Sequence, residues 1–327
     1  MVQCYNSATS VSAKEGAVMS DSEAQQPHRR NQLNDLSGRE WLYATRSIAL
    51  TGTPPTPLND LTAEEWAAWS APILASAYPT RGPASAAHHI RKAHPSPKPP
   101  ALLSEIIRFF TKPNGWVLDP FAGVGGTLLA CAQTQRQAIG IELSPHYIDL
   151  YGQAADALNL ARLPVLQGDA REVLNSPSIQ QQRFDLVLTD PPYSSMLSRA
   201  RTGQRRKQGN GAATPFTDDP ADLGNVDYPT FLRELTSIVA QTLQSLRVGG
   251  HLVLFVKDLQ PTPEHHNMLH ADIVSALYQL SQLRYRGYRI WYDQSAMLYP
   301  FGYPYSFVAN QVHQFLLIFQ KQAEGEL

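Results

Sequence analysis

Cysteine is scarce: Cys4 lies in an unpatterned leading stretch and Cys131 within a helical pattern, and these are the only two in 327 residues. So low a count excludes a disulfide framework and a cysteine-built metal site, and it fits a reducing cytoplasm. No run reaches the roughly 18 consecutive apolar residues that a membrane span needs, and no basic segment leads into an apolar one near the start. Neither export nor membrane insertion is expected. Charge of one sign is also lacking, with 27 Lys and Arg against 28 Asp and Glu and a net charge of -1. Whole-chain attraction to a polyanion is therefore absent, and any such contact must be local. One basic patch exists, Arg199, Arg201, Arg205, Arg206 and Lys207, set among Gly and Gln without hydrophobic period. It reads as a mobile basic loop, and on composition alone equally as a solvated linker.

What is present is ordinary globular material, 43% hydrophobic and 17% charged, enough for one large core or two modest ones. Residues 1–33 are rich in Ser, Ala, Gln and Glu with little apolar period, too little to offset the entropy of ordering them, and are expected to form a disordered tail. Met19 offers an alternative start. Residues 34–100 form an expected helical and irregular cap. Within it Ser37 with Glu40, and Thr62 with Glu65, have capping-box spacing, while the prolines at 54, 55 and 57 and again at 95, 97, 99 and 100 forbid continuous helix.

From residue 101 to 327 short apolar runs alternate with helical stretches, the pattern of a mostly parallel α/β sheet. Strands are expected at 116–118, 138–141, 164–166, 184–188, 251–256, 289–292 and 314–319, and helices at 102–110, 126–133, 147–158, 230–246 and 272–283. The span 194–227, which carries the basic patch, is expected to be a flexible loop.

The first strand runs into Asp119-Pro120-Phe121-Ala122-Gly123-Val124-Gly125-Gly126-Thr127 and then a helix. Glycines there let the backbone bend and approach a ligand at the carboxyl ends of the strands. The turn alone is weak evidence, and it lacks the Gly-Lys-Ser/Thr ending of a phosphate loop. Glu142 closes the second strand roughly 20 residues beyond Asp119, the interval at which such folds place an acid on a ribose. The third strand leads to Asp169-Ala170, where a carboxylate can accept from an adenine amino group. Each acid singly reads as a cap or turn residue; three at successive strand ends beside a glycine turn read as a nucleotide-like site.

The fourth strand delivers Asp190-Pro191-Pro192-Tyr193. Two prolines remove two amide donors and stiffen the backbone, leaving the Asp190 carboxylate and the Pro191 carbonyl as acceptors, which match the two hydrogens of an amino group. Preoriented acceptors stabilise the positive charge that grows on an amine as it takes up a carbon electrophile. Tyr193 is placed to stack on a base, which a duplex must first flip out of its stack.

On these residues the chain resembles the amino-group DNA methyltransferases, which act on adenine N6 or cytosine N4, from about His94 to Phe319. The resemblance implies a Rossmann-like class I methyltransferase fold: a seven-stranded, mostly parallel sheet with an antiparallel last strand and helices on both faces. It also implies S-adenosyl-L-methionine as cofactor. The turn from Asp119 through Pro120, Phe121, Ala122, Gly123 and Gly125 to Thr127 would cradle it. Glu142 with Leu143 would hold the ribose, Asp169 with Ala170 the adenine, and His94-Pro95 with Lys98-Pro99 would pack at the methionine end. Asp190, Pro191, Pro192 and Tyr193 would carry catalysis, with adenine favoured by the leading Asp. No metal is implied. Double-stranded DNA is the implied partner, beside a cognate restriction or defence component.

Two departures stand out. The cofactor motif precedes the catalytic loop, a permuted or gamma-like order that obscures the target-recognition region, and Val124-Gly125-Gly126 replaces the family's tighter glycine turn. Rival readings are an RNA guanine-N2 methyltransferase with the same loop, a small-molecule or protein-amide methylase, and a non-catalytic nucleic-acid-binding subunit. The closing segment from Pro300 to Asn310 reads either as an aromatic wedge for an extruded nucleotide or as tyrosines packed on the sheet, and His313 as a structural hydrogen bonder.

Overall fold

The computed structural model describes residues 79–194, 216–258, 266, 268–292, 298, 302 and 304–323. The expected tail, the two capping boxes and the basic patch at 199–207 lie outside the described residues. Two compact units divide the chain; the described part of the smaller is confined to residues between 298 and 310, where Tyr305 and Phe307 are 66% and 61% exposed rather than packed. All that follows concerns the larger unit.

It begins with α1 (Gly82–Arg91) and α2 (Pro100–Phe110). Pro100 opens α2 where its missing amide costs nothing, and Leu102, Leu103, Ile106 and Ile107 recur at helical spacing to bury one stripe. The sheet elements are β1 (Trp116–Asp119), β2 (Gln137–Glu142), β3 (Val165–Gln167), β4 (Phe184–Thr189), β5 (Leu246–Val256), β6 (Leu283–Tyr292) and β7 (His313–Lys321). Between them run α3 (Gly126–Gln133), α4 (Pro145–Ala157), α5 (Ala170–Val173), α6 (Pro177–Gln180), α7 (Tyr228–Ser245) and α8 (Leu269–Leu277).

The seven strands lie in the order β3-β2-β1-β4-β5-β7-β6. β1 to β5 are parallel, whereas β7 runs antiparallel to both of its neighbours, as the family resemblance implies. Alternation along each strand splits the core in two. Leu118, Ile141, Val187 and Leu254 face α7 and α8, while Val117, Ala138, Leu188 and Val253 face α2, α3 and α4. Burial on both faces explains why these strands are continuous apolar runs instead of alternating ones.

Three boundaries differ from expectation by five residues or more. The last helix stops at Leu277 rather than reaching Leu283, which instead opens β6 opposite Lys321. Leu277, Leu280 and Leu283 keep a helical spacing by coincidence; pairing with β7 and burial of Leu283 override it. β5 starts at Leu246, five residues earlier than its apolar run suggests, because Leu246 pairs with Phe184 across a register shift.

Candidate active site

One cleft opens where β1, β2 and β4 end, and each strand delivers a carboxylate to it. Asp119 is buried, accepting from Thr189 Oγ1 at 2.8 Å and from the Phe121 amide at 3.1 Å, with Thr127 adding a third bond. Burial pushes its carboxyl up to about 6 against the pull of those donors. It braces β1 to β4 at the floor of the site.

Beyond Asp119 the backbone turns through Gly123 (φ 49°) and Gly125 (φ 70°), a left-handed path that favours glycine. The Gly123 amide donates to Glu142 Oε2 at 2.7 Å, and the Ser144 amide to Oε1 at 2.8 Å. Burial raises the Glu142 carboxyl to about 7, those two amides opposing. Each oxygen keeps a lone pair for a hydroxyl pair from the cleft. Gly125 does not line the cleft: a Cβ there would fall 2.0 Å from Tyr151 Cδ2, so this glycine lets the turn approach the Tyr151 ring of α4 closely.

Asp169 and Ala170 line the cleft as expected, yet the Asp169 carboxylate is already engaged. It caps α5 through the Arg171 amide at 2.9 Å and pairs with the Arg171 guanidinium at 2.6 Å. An adenine amino group would have to share it with that arginine.

Pro120, Phe121, Ala122, Thr127, Leu143, His94 and Lys98 also line the cleft. The His94 ring stands 4.7 Å from Tyr147 and 5.1 Å from Phe216, and its Nδ1 accepts the Ser96 amide at 3.1 Å. Burial, with Lys98 and Arg91 adding like charge, lowers its pKa to about 3, so the ring is neutral at any working pH. Lys98 lines the cleft as expected, and its ammonium also forms an ion pair with Asp190.

At the end of β4, Asp190 and Pro192 face the cleft, whereas Pro191 is buried and neither it nor Tyr193 lines the wall. The Tyr193 hydroxyl sits 2.5 Å from Asp190 Oδ1 and 3.0 Å from the Phe255 carbonyl. Burial and the Asp190 charge hold its phenol well above its ordinary pKa, so it remains a donor. The structure thus uses Tyr193 to orient Asp190. The chain leaves the loop through Ser194 in a left-handed conformation (φ 50°), its hydroxyl donating to Val226 O at 2.8 Å.

Sequence reasoning missed several wall residues. Arg91, fully buried, donates to Val124 O at 3.1 Å and Lys98 O at 2.6 Å, stapling the glycine turn to the His94–Lys98 segment. Phe216, Thr217 and Asp222 close the opposite side, with Asp222 accepting from Gly224 N at 2.7 Å and Thr217 Oγ1 at 2.9 Å. The Tyr147 hydroxyl donates to Phe216 O at 2.7 Å. Their one sequence signal, an Asp two residues before a Gly, is shared with countless turns.

The sheet order, the reversed β7 and a cleft beyond the carboxyl ends of β1, β2 and β4 define a class I S-adenosylmethionine-dependent methyltransferase fold. The cleft fits that cofactor. A backbone bare of Cβ at Gly123, the Glu142 carboxylate and the buried Lys98 ammonium match the needs of its adenosine hydroxyls and its carboxylate.

Residues 19–153 match the DNA methylase family, and residues 105–205 a family described as conserved hypothetical protein 95. Over residues 19–153 the chain is similar to the DNA methylase family, and S-adenosyl-L-methionine is the cofactor that its fold and cleft fit. Over 54 residues, 16% of this chain and 24% of the relative, it is 52% identical to the putative methylase YubD of Escherichia coli (strain K12). It is 46% identical over 66 residues, 20% of this chain and 21% of the relative, to the type II methyltransferase M.XycI of Xanthomonas campestris pv. cyanopsidis. A 29% match over 174 residues, 46% of this chain and 36% of the relative, links it to the tRNA (guanine(10)-N(2))-methyltransferase TRMT11 of Homo sapiens. The chain thus spans between about a fifth and about a third of the length of these relatives. Among the described residues no helix is long and apolar enough to cross a membrane.

Proposed function

We propose that the protein methylates the exocyclic amino nitrogen of a base flipped out of double-stranded DNA, adenine N6 in first place and cytosine N4 in second. The observation that carries this reading is that Gly123 and Glu142 on one side, and Asp190 and Pro192 on the other, open into a single cleft. A donor methyl and an acceptor amine can meet there.

The cofactor supplies a methyl group on a positively charged sulfur that leaves as a neutral thioether. The amine lone pair would form the new C–N bond as the C–S bond breaks, and the nitrogen's surplus proton would pass to Asp190 and on to solvent. Asp190, which faces the cleft, accepts from the amine and stabilises the growing positive charge, with Tyr193 fixing the orientation of the carboxylate. The match of residues 19–153 to the DNA methylase family supports DNA as the polymer. A restriction or defence system would supply the partner component.

A second reading, methylation of guanine N2 in RNA, is favoured by the longer match to the tRNA enzyme. Incubation with isotopically labelled cofactor and separate DNA and RNA pools, followed by mass spectrometry of the nucleosides, tests both. N6-methyladenine or N4-methylcytosine from DNA is the expected product; N2-methylguanine from RNA would transfer the assignment to the second reading.

A further inference from the structure

Both oxygens of Asp190 are engaged. Tyr193 holds Oδ1, and the Lys98 ammonium pairs with Oδ2. Lys98 is 8% exposed, and its remaining neighbours are weak: Ser96 Oγ at 3.4 Å and the face of Phe255 at 5.6 Å. Its backbone is pinned by Arg91, so only the head group of a flexible four-carbon stem is free to exchange partners.

This pair is unsuited to methyl transfer. An ion-paired carboxylate is a poorer acceptor for an incoming amine, and an ammonium beside it repels the positive charge that develops on nitrogen. Yet Lys98 cannot simply withdraw, because a buried ammonium without a partner is costly. It needs a replacement anion. The sheet order β2-β1-β4 indicates one: a ligand whose ribose meets Glu142 at the end of β2 extends across β1 toward β4, where Lys98 lies. The anion at that end of S-adenosyl-L-methionine is its methionyl carboxylate.

We propose that Lys98 is a positioning residue for which Asp190 and the cofactor's carboxylate compete, so that cofactor loading unpairs Asp190 and readies it for the base. The proposal rests on the reading of Asp190 as the catalytic carboxylate. It makes binding ordered, cofactor before polymer, without any moving domain.

The test is calorimetric titration with S-adenosylhomocysteine, which keeps the carboxylate, and 5′-methylthioadenosine, which lacks the whole amino-acid end. Wild type is compared with Asp190→Asn, Lys98→Met and the double variant, with Asp190→Ala as a second removal of the competitor and thermal unfolding to establish folding. Asp190→Asn is expected to tighten S-adenosylhomocysteine about five-fold, within the range of couplings between contacting residues, and to leave methylthioadenosine unchanged. In the Lys98→Met background the Asp190 substitution should have no effect. Unchanged or weakened S-adenosylhomocysteine binding by both Asp190 variants, with Lys98 present, would overturn the proposal alone. Failure of the wild type to bind either ligand would overturn it together with the cofactor site. Retention of methyl transfer by Asp190→Ala would overturn the catalytic reading, which the titration does not address.

Discussion

Thr189 Oγ1 donates to Asp119 Oδ1 across 2.8 Å, joining the last residue of β4 to the last of β1, 70 positions apart in sequence. The bond fixes the spacing between the strand that opens the cofactor turn and the strand that carries Asp190. Thr189→Val keeps the shape and removes the donor, leaving a buried carboxylate short of a partner. A loss of about 1–3 kcal/mol in stability is expected, read by urea denaturation, together with slower methyl transfer. Full stability in the valine variant would show that Phe121 and Thr127 suffice.

The raised carboxyls predict a pH dependence. Asp119 and Glu142 sit above their ordinary values of 3.8 and 4.5, at about 6 and about 7, because burial disfavours their charge. The folded state therefore binds protons more tightly than the unfolded chain. This stabilisation is fully present below about pH 4 and is lost as pH rises through 7. Cofactor binding runs the other way, since hydroxyl donors favour ionised Glu142. Affinity should fall as pH drops below about 7, with proton release on binding detectable by calorimetry in buffers of different ionisation enthalpy. Glu142→Gln should bind weakly and without that slope.

At the catalytic loop, Asp190→Ala is expected to lower kcat by about 10²–10⁴ in a tritium-transfer assay while cofactor binding survives. A variant that still transfers methyl groups at the wild-type rate would place the acceptor elsewhere.

Gly125 offers a test of packing against ligand contact. Gly125→Ala forces a side chain into a φ of 70° and drives Cβ to 2.0 Å from the Tyr151 ring. Destabilisation of at least about 1–3 kcal/mol is expected. Tyr151→Ala in the same chain should relieve the steric part, which loss of a cofactor contact would not allow.

The basic patch, which lies outside the described residues, follows Tyr193 in sequence, and on the proposed function it would meet phosphates beside the target base. Neutralising Arg205, Arg206 and Lys207 should weaken DNA binding and flatten its salt dependence by about 0.9 per lost phosphate contact. An unchanged slope would leave the patch as a solvated linker.

The strand ends were legible in the sequence because their signals are local. An apolar run followed by Asp119 and glycines, or by Asp190 and two prolines, states both the strand and its ligand-bearing end within ten residues. Asp169 was legible as a strand-end acid, but its grip on Arg171, only two residues away, was not, since the same pair occurs in any helix cap. Edge strand β6 was half hidden by leucines spaced as in a helix, and β7 across the sheet resolved it.

What the sequence determined by itself was the order of strands and helices and the identity of the acids at their ends, because periodicity and turn chemistry depend on neighbours along the chain. Tertiary structure alone decided which side chains share a cleft. Lys98 meets Asp190 across 92 residues and Phe216 meets His94 across a loop, contacts that exist only because a parallel sheet gathers its carboxyl ends on one side.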